Sequence, residues 1–232
     1  MATVRILSAG AAQAVTEQII DAFRRETGHE VAAEFSAVGA MKARVTAGEP
    51  VDVITLTQAM IDELIASGFV QQGSRFDLGR VGTGVAVRAG APAPSVADAN
   101  ALRTAVLGAA RIVCPDPAVA TAGKVVIGLM EKLGVADQVR DRMQFFPNGY
   151  AAMRWLAAEG SARDLGITQI TEILPNKGVA YAGPLPGAFQ MKAVYSAGVA
   201  SRAQEPQLAK DFIDRFRTAR ALLADAGYEL EG

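Results

Sequence analysis

Residues 4–12 read Val4-Arg5-Ile6-Leu7-Ser8-Ala9-Gly10-Ala11-Ala12 and indicate the fold class of this chain. A short β-rich run leads into a turn of small residues. The segment 14–25 then carries apolar residues at helical spacing, at Val15, Ile19, Ile20 and Phe23. The stretch therefore predicts a strand, a tight turn and a helix, which is the basic unit of an α/β protein.

The same alternation of strand and helix signals continues along the chain. In the first third the predicted strands are 31–35 and 51–56, and the predicted helices are 41–47 and 59–67. After an extended run at 82–88, a second set has helices at 99–107, 123–133 and 150–158 and strands at 111–114, 143–146 and 165–168. Extended segments at 179–182 and 193–200 and a helix at 206–226 complete the chain. This order predicts parallel sheets in two lobes, residues 1–82 with 196–232 and residues 83–195.

Composition excludes several classes of function. The 232 residues have a formal net charge of −1, and the basic residues are dispersed, so we expect no nucleic-acid partner. The single Cys114 lies in an apolar run and predicts a buried, inert thiol. With one histidine, His29, a His-rich metal site is excluded, and we expect neither a metal nor a cofactor.

The start of the chain bears on localisation. Residues 1–7 run into the first strand without a basic or an apolar leader region, and no apolar stretch is long enough to span a bilayer. We therefore expect no membrane insertion. The sequence as written predicts a cytoplasmic protein, and a periplasmic one if a leader has been removed.

Four turns of small residues stand at the mouths of predicted helices: 8–12, 37–41, 120–124 and 148–151. A helix N-terminus offers unpaired N–H groups and the positive end of a dipole, so it readily holds an anion. Four such turns predict a cleft that binds a small anion. The candidate ligand-binding residues are Ser8, Gly10, Ala11, Gly39, Ala40, Thr57, Ala122, Gly123, Lys124, Asn148, Gly149 and Gln169.

Each candidate also has a simpler interpretation. Gly10 and Gly39 are consistent with tight strand-to-helix turns that touch no ligand. Lys124 is equally consistent with a solvated lysine. Lys42 and Arg44 are consistent with surface charges, and Arg154 with a surface salt bridge. Thr168 and Gln169 lie at the carboxyl end of the predicted strand 165–168, where α/β sheets place their ligands, and are the better polar candidates.

Several short motifs, in order along the chain, carry a resemblance to a known family. They are Ala47-Gly48-Glu49-Pro50-Val51-Asp52-Val53, Asp116-Pro117 followed by Thr121-Ala122-Gly123, Leu165-Gly166-Ile167 and Ala224-Asp225-Ala226-Gly227-Tyr228. Over nearly the whole chain these resemble the periplasmic molybdate-binding proteins, a part of the type II solute-binding proteins. The resemblance implies an α/β, two-lobed type II periplasmic-binding-protein fold with an interlobe cleft. It also implies a small anionic ligand and, for an exported protein, an ABC transporter as partner.

The ligand shell departs from that family. Two serine hydroxyls and a tyrosine hydroxyl of the family align with Gly10, the Val38-Gly39 turn and Gln169. A buried oxyanion loses roughly 1–3 kcal/mol for each missing hydrogen bond. This departure from the resembled family therefore predicts a preference for a carboxylate or hydroxy acid over molybdate. The amide of Gln169 suits such a ligand, because it both donates and accepts.

Two functions of different class follow. The first is binding of a small anion, carboxylate or oxyanion, without chemistry. The alternative is a cytoplasmic isomerase of a small tricarboxylate, like the aconitate isomerase-like members of the resembled family, which needs a base for a proton alpha to a carboxylate. Its catalytic residues stay unassigned: His29 is badly placed, and the other candidates are Lys42, Lys124, Tyr150 and Glu172. A ligand-sensing domain of a transcription regulator is a third possibility, but the chain has no segment that predicts DNA binding.

Overall fold

The computed structural model describes residues 1–230, which fold into two compact units. Unit 1 contains Met1–Val81 and the segment from Ala193 onward. Unit 2 is the continuous segment Gly82–Lys192. The chain therefore enters unit 2 once and returns once.

The bounds of the elements follow the order of the chain. The strands are β1 (Thr3–Ala9), β2 (Glu30–Ser36), β3 (Val53–Thr57), β4 (Phe76–Val81), β5 (Thr83–Arg88), β6 (Ile112–Pro115), β7 (Met143–Phe146), β8 (Leu165–Gln169), β9 (Val179–Pro184) and β10 (Ala193–Val199). The α-helices are α1 (Gln13–Thr27), α2 (Val38–Thr46), α3 (Gln58–Ala66), α4 (Ala99–Gly108), α5 (Thr121–Lys132), α6 (Ala136–Val139), α7 (Gly149–Glu159), α8 (Ile170–Ile173), α9 (Pro206–Thr218) and α10 (Arg220–Asp225). Short 3-10 turns lie at Gly10–Ala12 and Arg140–Arg142.

Each unit is built on one five-stranded sheet, and the two sheets share a plan. In unit 1 the strand order is β2-β1-β3-β10-β4, with β1 parallel to both of its neighbours and β10 antiparallel to both of its own. In unit 2 the order is β7-β6-β8-β5-β9, with β6 parallel to its neighbours and β5 antiparallel to its own. In both units, three parallel strands are thus followed by one strand that runs in the opposite direction and by a fifth that pairs with it antiparallel.

The expectation of parallel sheets was wrong for one strand of each sheet, β10 in unit 1 and β5 in unit 2. The alternation of strand and helix patterns in the sequence predicts the parallel part of each sheet, where a helix connects successive strands. It carries no signal for β10 and β5, which run in the opposite direction to the other strands of their sheets, or for β4 and β9, which pair with them. Strand β4 was missed altogether, because Asp77, Gly79 and Arg80 interrupt its apolar pattern.

Two other boundaries differ from the sequence-based expectation. Pairing of Ala193 with Val81 places the whole of β10 in unit 1, whereas the predicted second lobe extended to residue 195. The predicted helix 206–226 is two helices, α9 and α10, because the backbone of Ala219 departs from helical geometry with φ −89° and ψ 31°.

Unit 1 is closed by its C-terminal segment. The ring of Phe23 on α1 meets that of Phe212 on α9 edge-to-face, with the centroids 5.4 Å apart. The buried carboxylate of Asp52 accepts hydrogen bonds from the backbone N–H groups of Arg5, Gln204 and Glu205. Asp52 therefore ties β1 to the chain that leads into α9, which gives the aspartate of the Ala47–Val53 motif a structural role.

Burial excludes a reactive cysteine at neutral pH. Cys114 is buried in β6, and burial raises the pKa of its thiol to about 12, so the thiolate that reacts with disulfides or metals is absent at neutral pH. Within residues 1–230, no helix combines the length and the apolar character that crossing a bilayer requires.

Candidate functional site

Three helices of unit 1 begin side by side at the carboxyl ends of β2, β1 and β3. Because these neighbouring strands are parallel, their carboxyl ends lie at one edge of the sheet. The residues before the helical turns are Ala9, Ala37 and Thr57, and none of them caps its helix with a side-chain hydrogen bond. The edge therefore carries three helix starts without a side-chain cap.

The start of α2 illustrates the backbone N–H groups that are available at this edge of the sheet. Its first intrahelical bond runs from the N–H of Met41 to the carbonyl of Ala37. The N–H groups of Val38, Gly39 and Ala40 precede it and have no intrahelical acceptor. Together with the helix dipole, these groups form a partial positive charge suited to an anion.

The first turn is held by the end of the chain. The hydroxyl of Tyr228 donates to the carbonyl oxygen of Ala11 at 2.9 Å, and both partners are buried. The buried hydroxyl of Ser8 donates to the carbonyl of Ala9 at 3.2 Å. The turn that contains Gly10 is therefore fixed by side chains on either side of it.

In unit 2 the corresponding helix start is that of α5, after β6. Its N-cap residue Ala120 makes no side-chain cap, and the first intrahelical bond comes from Lys124 to Ala120. A Cβ atom at Gly123 would lie 2.4 Å from the carbonyl oxygen of Pro115, so glycine is needed for the helix to pack on the end of β6. The N–H groups of Thr121, Ala122 and Gly123 have no intrahelical acceptor, and the side chain of Lys124 is exposed.

The start of α7, the fourth predicted turn, is satisfied by the protein itself. The side chain of Asn148 accepts from the N–H of Ala151 at 2.7 Å. The carboxylate of Glu172 receives the backbone N–H groups of Gly149 and Tyr150. A Cβ atom at Gly149 would lie 1.9 Å from Oε2 of Glu172, so only glycine lets this carboxylate approach the helix start. An internal carboxylate thus lies where the sequence predicted a bound anion.

Glu172 is a titratable group inside unit 2. Burial raises the pKa of its carboxyl to about 7, against the lowering effect of the hydrogen bond from Thr168 and of the backbone N–H groups of Tyr150, Gly149 and Gln169. A group with this pKa exchanges a proton near neutral pH, which is the property of a general acid or base.

The carboxyl end of β8 adds two polar side chains. Oε1 of Gln169 and Oγ1 of Thr83 are buried and have no hydrogen-bond partner among the described residues. Thr83 pairs with Gln169 in the register of β5 and β8. Sequence reasoning selected Gln169 and missed Thr83, because pairing between strands far apart in sequence gives no local signal.

Most of the proposed charged candidates are engaged or exposed. Lys42 forms an ion pair with Glu63, and Arg44 bonds to both Glu34 and Glu49. Lys124 and Arg154 are exposed.

His29 lies at the other end of the unit 1 sheet from the helix starts. Its Nδ1 accepts from the N–H of Ala2, which precedes β1, at 3.2 Å. The unfavourable position expected for His29 is therefore what the structure shows.

The predicted ligand-binding residues thus fall into two groups. Six share the helix-start edge of unit 1: Ser8, Gly10, Ala11, Gly39, Ala40 and Thr57. Six follow the parallel strands of unit 2: Ala122, Gly123, Lys124, Asn148, Gly149 and Gln169. Within residues 1–230, no group of three His, Cys, Asp or Glu side chains is arranged to hold a metal ion.

Comparison with known proteins identifies the family of this chain and a curated relative. A family model described as bacterial extracellular solute-binding protein matches residues 4–229. The aconitate isomerase of a Pseudomonas species is 26% identical over 240 aligned residues, which span 97% of this chain and 87% of that protein.

Solved structures show the same fold. The periplasmic molybdate-binding protein of Azotobacter vinelandii has a TM-score of 0.81 at 22% identity, covering 99% of this chain and 100% of that chain. PEB3 bound to L-phospholactate has a TM-score of 0.69 at 16% identity, covering 98% and 100%. The predicted two-lobed periplasmic-binding-protein fold and the resemblance to the molybdate-binding family are confirmed by these matches.

Proposed function

This chain belongs to the bacterial extracellular solute-binding protein family, and we propose that it binds a small anion, preferably a carboxylate, at uncapped helix starts. The observation that carries the proposal is the row of uncapped helix starts at one edge of unit 1. In unit 2, α5 begins with an uncapped start of the same kind.

The proposal assigns the predicted residues different roles. Backbone N–H groups around Gly10, Gly39 and Gly123 are the anion donors. The start of α7 is left out of the donor set, because the side chain of Asn148 caps it and the carboxylate of Glu172 accepts from the N–H of Gly149. Gln169 is the polar side chain that faces the ligand.

A carboxylate suits this donor set better than molybdate. A tetrahedral dianion needs donors around all of its oxygens, whereas backbone N–H groups at helix starts supply donors from a few directions only. The positions at which the resembled family places serine and tyrosine hydroxyls are glycines and an amide in this chain. PEB3, which shares the fold, was solved with L-phospholactate, a ligand that carries both a carboxylate and a phosphate group.

Membership of the family also supports a proposal about the compartment and the partner. We propose that the protein acts outside the cytoplasm and delivers its ligand to an ABC transporter. Fractionation of cells that express the native gene would test the compartment.

A competition experiment by native mass spectrometry tests the binding proposal. The protein, dialysed free of anions, is incubated with equal concentrations of citrate, malate, molybdate and sulfate. We expect an adduct with the mass of a carboxylate. A molybdate adduct alone would contradict the preference, and the absence of every adduct would contradict anion binding.

A second candidate function is isomerisation of an unsaturated tricarboxylate, favoured by one relative and by the raised pKa of Glu172. Its pKa of about 7 lies where a general base works well, and one relative is an aconitate isomerase. The base would take a proton alpha to a carboxylate, the double bond would shift, and the proton would return to another carbon. Helix-start N–H groups would stabilise the enolate.

Solvent deuterium separates the two functions. An isomerase incorporates deuterium from D2O into cis- or trans-aconitate, and a binding protein leaves both unlabelled. Loss of incorporation in Glu172→Gln, with aconitate binding retained, would assign the base to Glu172.

A further inference from the structure

Three buried side-chain oxygen atoms in unit 2 have no hydrogen-bond partner among the described residues. One is Oγ1 of Thr171, and the other two, Oγ1 of Thr83 and Oε1 of Gln169, belong to residues that are paired across two strands. Both side chains are at least 97% buried. A buried polar atom without a partner costs free energy, and native proteins keep few of them. Two such atoms on paired residues indicate that a ligand supplies the missing bonds.

The strand register places the two side chains together. Thr83 of β5 lies directly opposite Gln169 of β8 in an antiparallel pair. The N–H of Ile170 donates to the carbonyl of Gly82 at 2.9 Å, and this bond flanks the pair. The pattern makes Thr83 and Gln169 a non-hydrogen-bonded pair, in which the side chains project on the same face and are closest.

The backbone of Thr83 is held firmly while its hydroxyl has no partner. Oε1 of Gln190 accepts from the Thr83 N–H at 2.7 Å, and Nε2 of Gln190 donates to the Thr83 carbonyl at 2.8 Å. The N–H of Leu185 donates to the same carbonyl at 3.0 Å. The hydroxyl is therefore presented from a fixed position, which is a property of a recognition group.

We infer that Thr83 and Gln169 recognise an alcohol hydroxyl, so that the ligand is a hydroxycarboxylate. The hydroxyl of Thr83 donates to the oxygen of the ligand alcohol, and the ligand alcohol donates to Oε1 of Gln169. Sulfate, molybdate and carboxylates without a hydroxyl have no proton for this acceptor. The inference rests on the proposed binding of a carboxylate and names its class.

Matched ligand pairs test the inference by isothermal titration calorimetry. Citrate is compared with propane-1,2,3-tricarboxylate, and L-malate with succinate, since each pair differs by one hydroxyl. We expect the hydroxyl-bearing member to bind about tenfold more tightly or better, the worth of one or two hydrogen bonds. In Thr83→Val and in Gln169→Leu this ratio should fall close to one.

Two controls keep the result interpretable. Thr104→Val removes a hydroxyl that is satisfied within α4 by the carbonyl of Asn100, and it should leave the ratio unchanged. Thr83→Val should keep or raise the melting temperature of the ligand-free protein, because it removes an unpaired buried group.

The outcomes separate this inference from the proposed function. Equal binding of both members of each pair, or a ratio that survives both variants, overturns the hydroxyl inference while carboxylate binding stands. Tight binding of aconitate, which has no hydroxyl, with weak binding of citrate also overturns it and favours the isomerase. No binding of any carboxylate overturns both proposals.

Discussion

The hydroxyl of Tyr228 and the carbonyl oxygen of Ala11 are joined by a buried hydrogen bond of 2.9 Å, although they lie 217 positions apart in sequence. Ala11 belongs to the turn between β1 and α1, so the last described part of the chain supports the first helix start. The position of a donor group in the proposed site thus depends on folding of the whole of unit 1.

Replacing Tyr228 with Phe should therefore affect both stability and binding. The buried carbonyl of Ala11 would lose this donor, and we expect a loss of about 1–2 kcal/mol in the free energy of unfolding. Carboxylate affinity should fall several-fold, because the first turn becomes less well fixed. Urea unfolding and calorimetry measure the two effects. Tyr181→Phe, on the other unit, is the control, and equal effects from both variants would contradict the argument.

Gly39→Asp should abolish anion binding. A carboxylate at the second residue of α2 repels an anion and can accept the N–H groups that would hold it. Gly39→Asn has nearly the same shape without the charge, so it should weaken binding less. Calorimetry with the same carboxylate compares the two, and equal affinity of Gly39→Asp and the unmodified protein would remove this helix start from the site.

Gly149→Ala should destabilise the protein. Its Cβ would lie 1.8 Å from Oγ1 of Thr168 and 1.9 Å from Oε2 of Glu172, distances that force these groups apart. We expect a loss of about 1–3 kcal/mol, the usual effect of overpacking. Gly128→Ala in α5 meets open space and should stabilise by roughly 0.5–1 kcal/mol. Urea unfolding that ranks these two variants in the reverse order would contradict the placement of Glu172 against α7.

Glu172 should make stability depend on pH. Because burial raises the pKa of its carboxyl from 4.5 to about 7, the folded state binds this proton more tightly than the unfolded state. The resulting stability is fully present below about pH 4.5 and is lost as the pH rises to about 7, for a total of about 3 kcal/mol.

The comparison with Glu172→Gln isolates this contribution. The difference in unfolding free energy between the unmodified protein and the variant should fall by that amount between pH 4.5 and pH 8. Glu159→Gln replaces an exposed glutamate of α7 and should give a nearly constant difference. A constant difference for Glu172→Gln as well would show that the carboxyl is not buried in solution.

The sequence predicts the parallel part of each unit, because neighbouring residues encode each strand and the helix that follows it. In 4–25, for example, the change from a β-rich run to helical spacing marks both the end of β1 and the helix start. Antiparallel strands such as β4 and β10 depend on pairing between Val81 and Ala193, which no local pattern encodes.

The same distinction applies to the candidate site. Helix starts at Gly10 and Gly39 are visible as small-residue turns, and Gln169 is visible at the end of a strand. The role of Glu172 at Gly149 and the pairing of Thr83 with Gln169 arise from tertiary contacts, so the residue types alone did not single them out.

A thermal-shift panel measures whether the protein prefers a carboxylate to molybdate. The anion-free protein is heated with molybdate, tungstate, sulfate, citrate, the aconitates or a smaller dicarboxylate, and the melting temperature is compared with that of the free protein. The account predicts that a carboxylate raises the melting temperature in the micromolar range and that molybdate and tungstate do not. A rise with molybdate alone, at micromolar concentration, would contradict it and show that backbone donors suffice for a tetrahedral oxyanion.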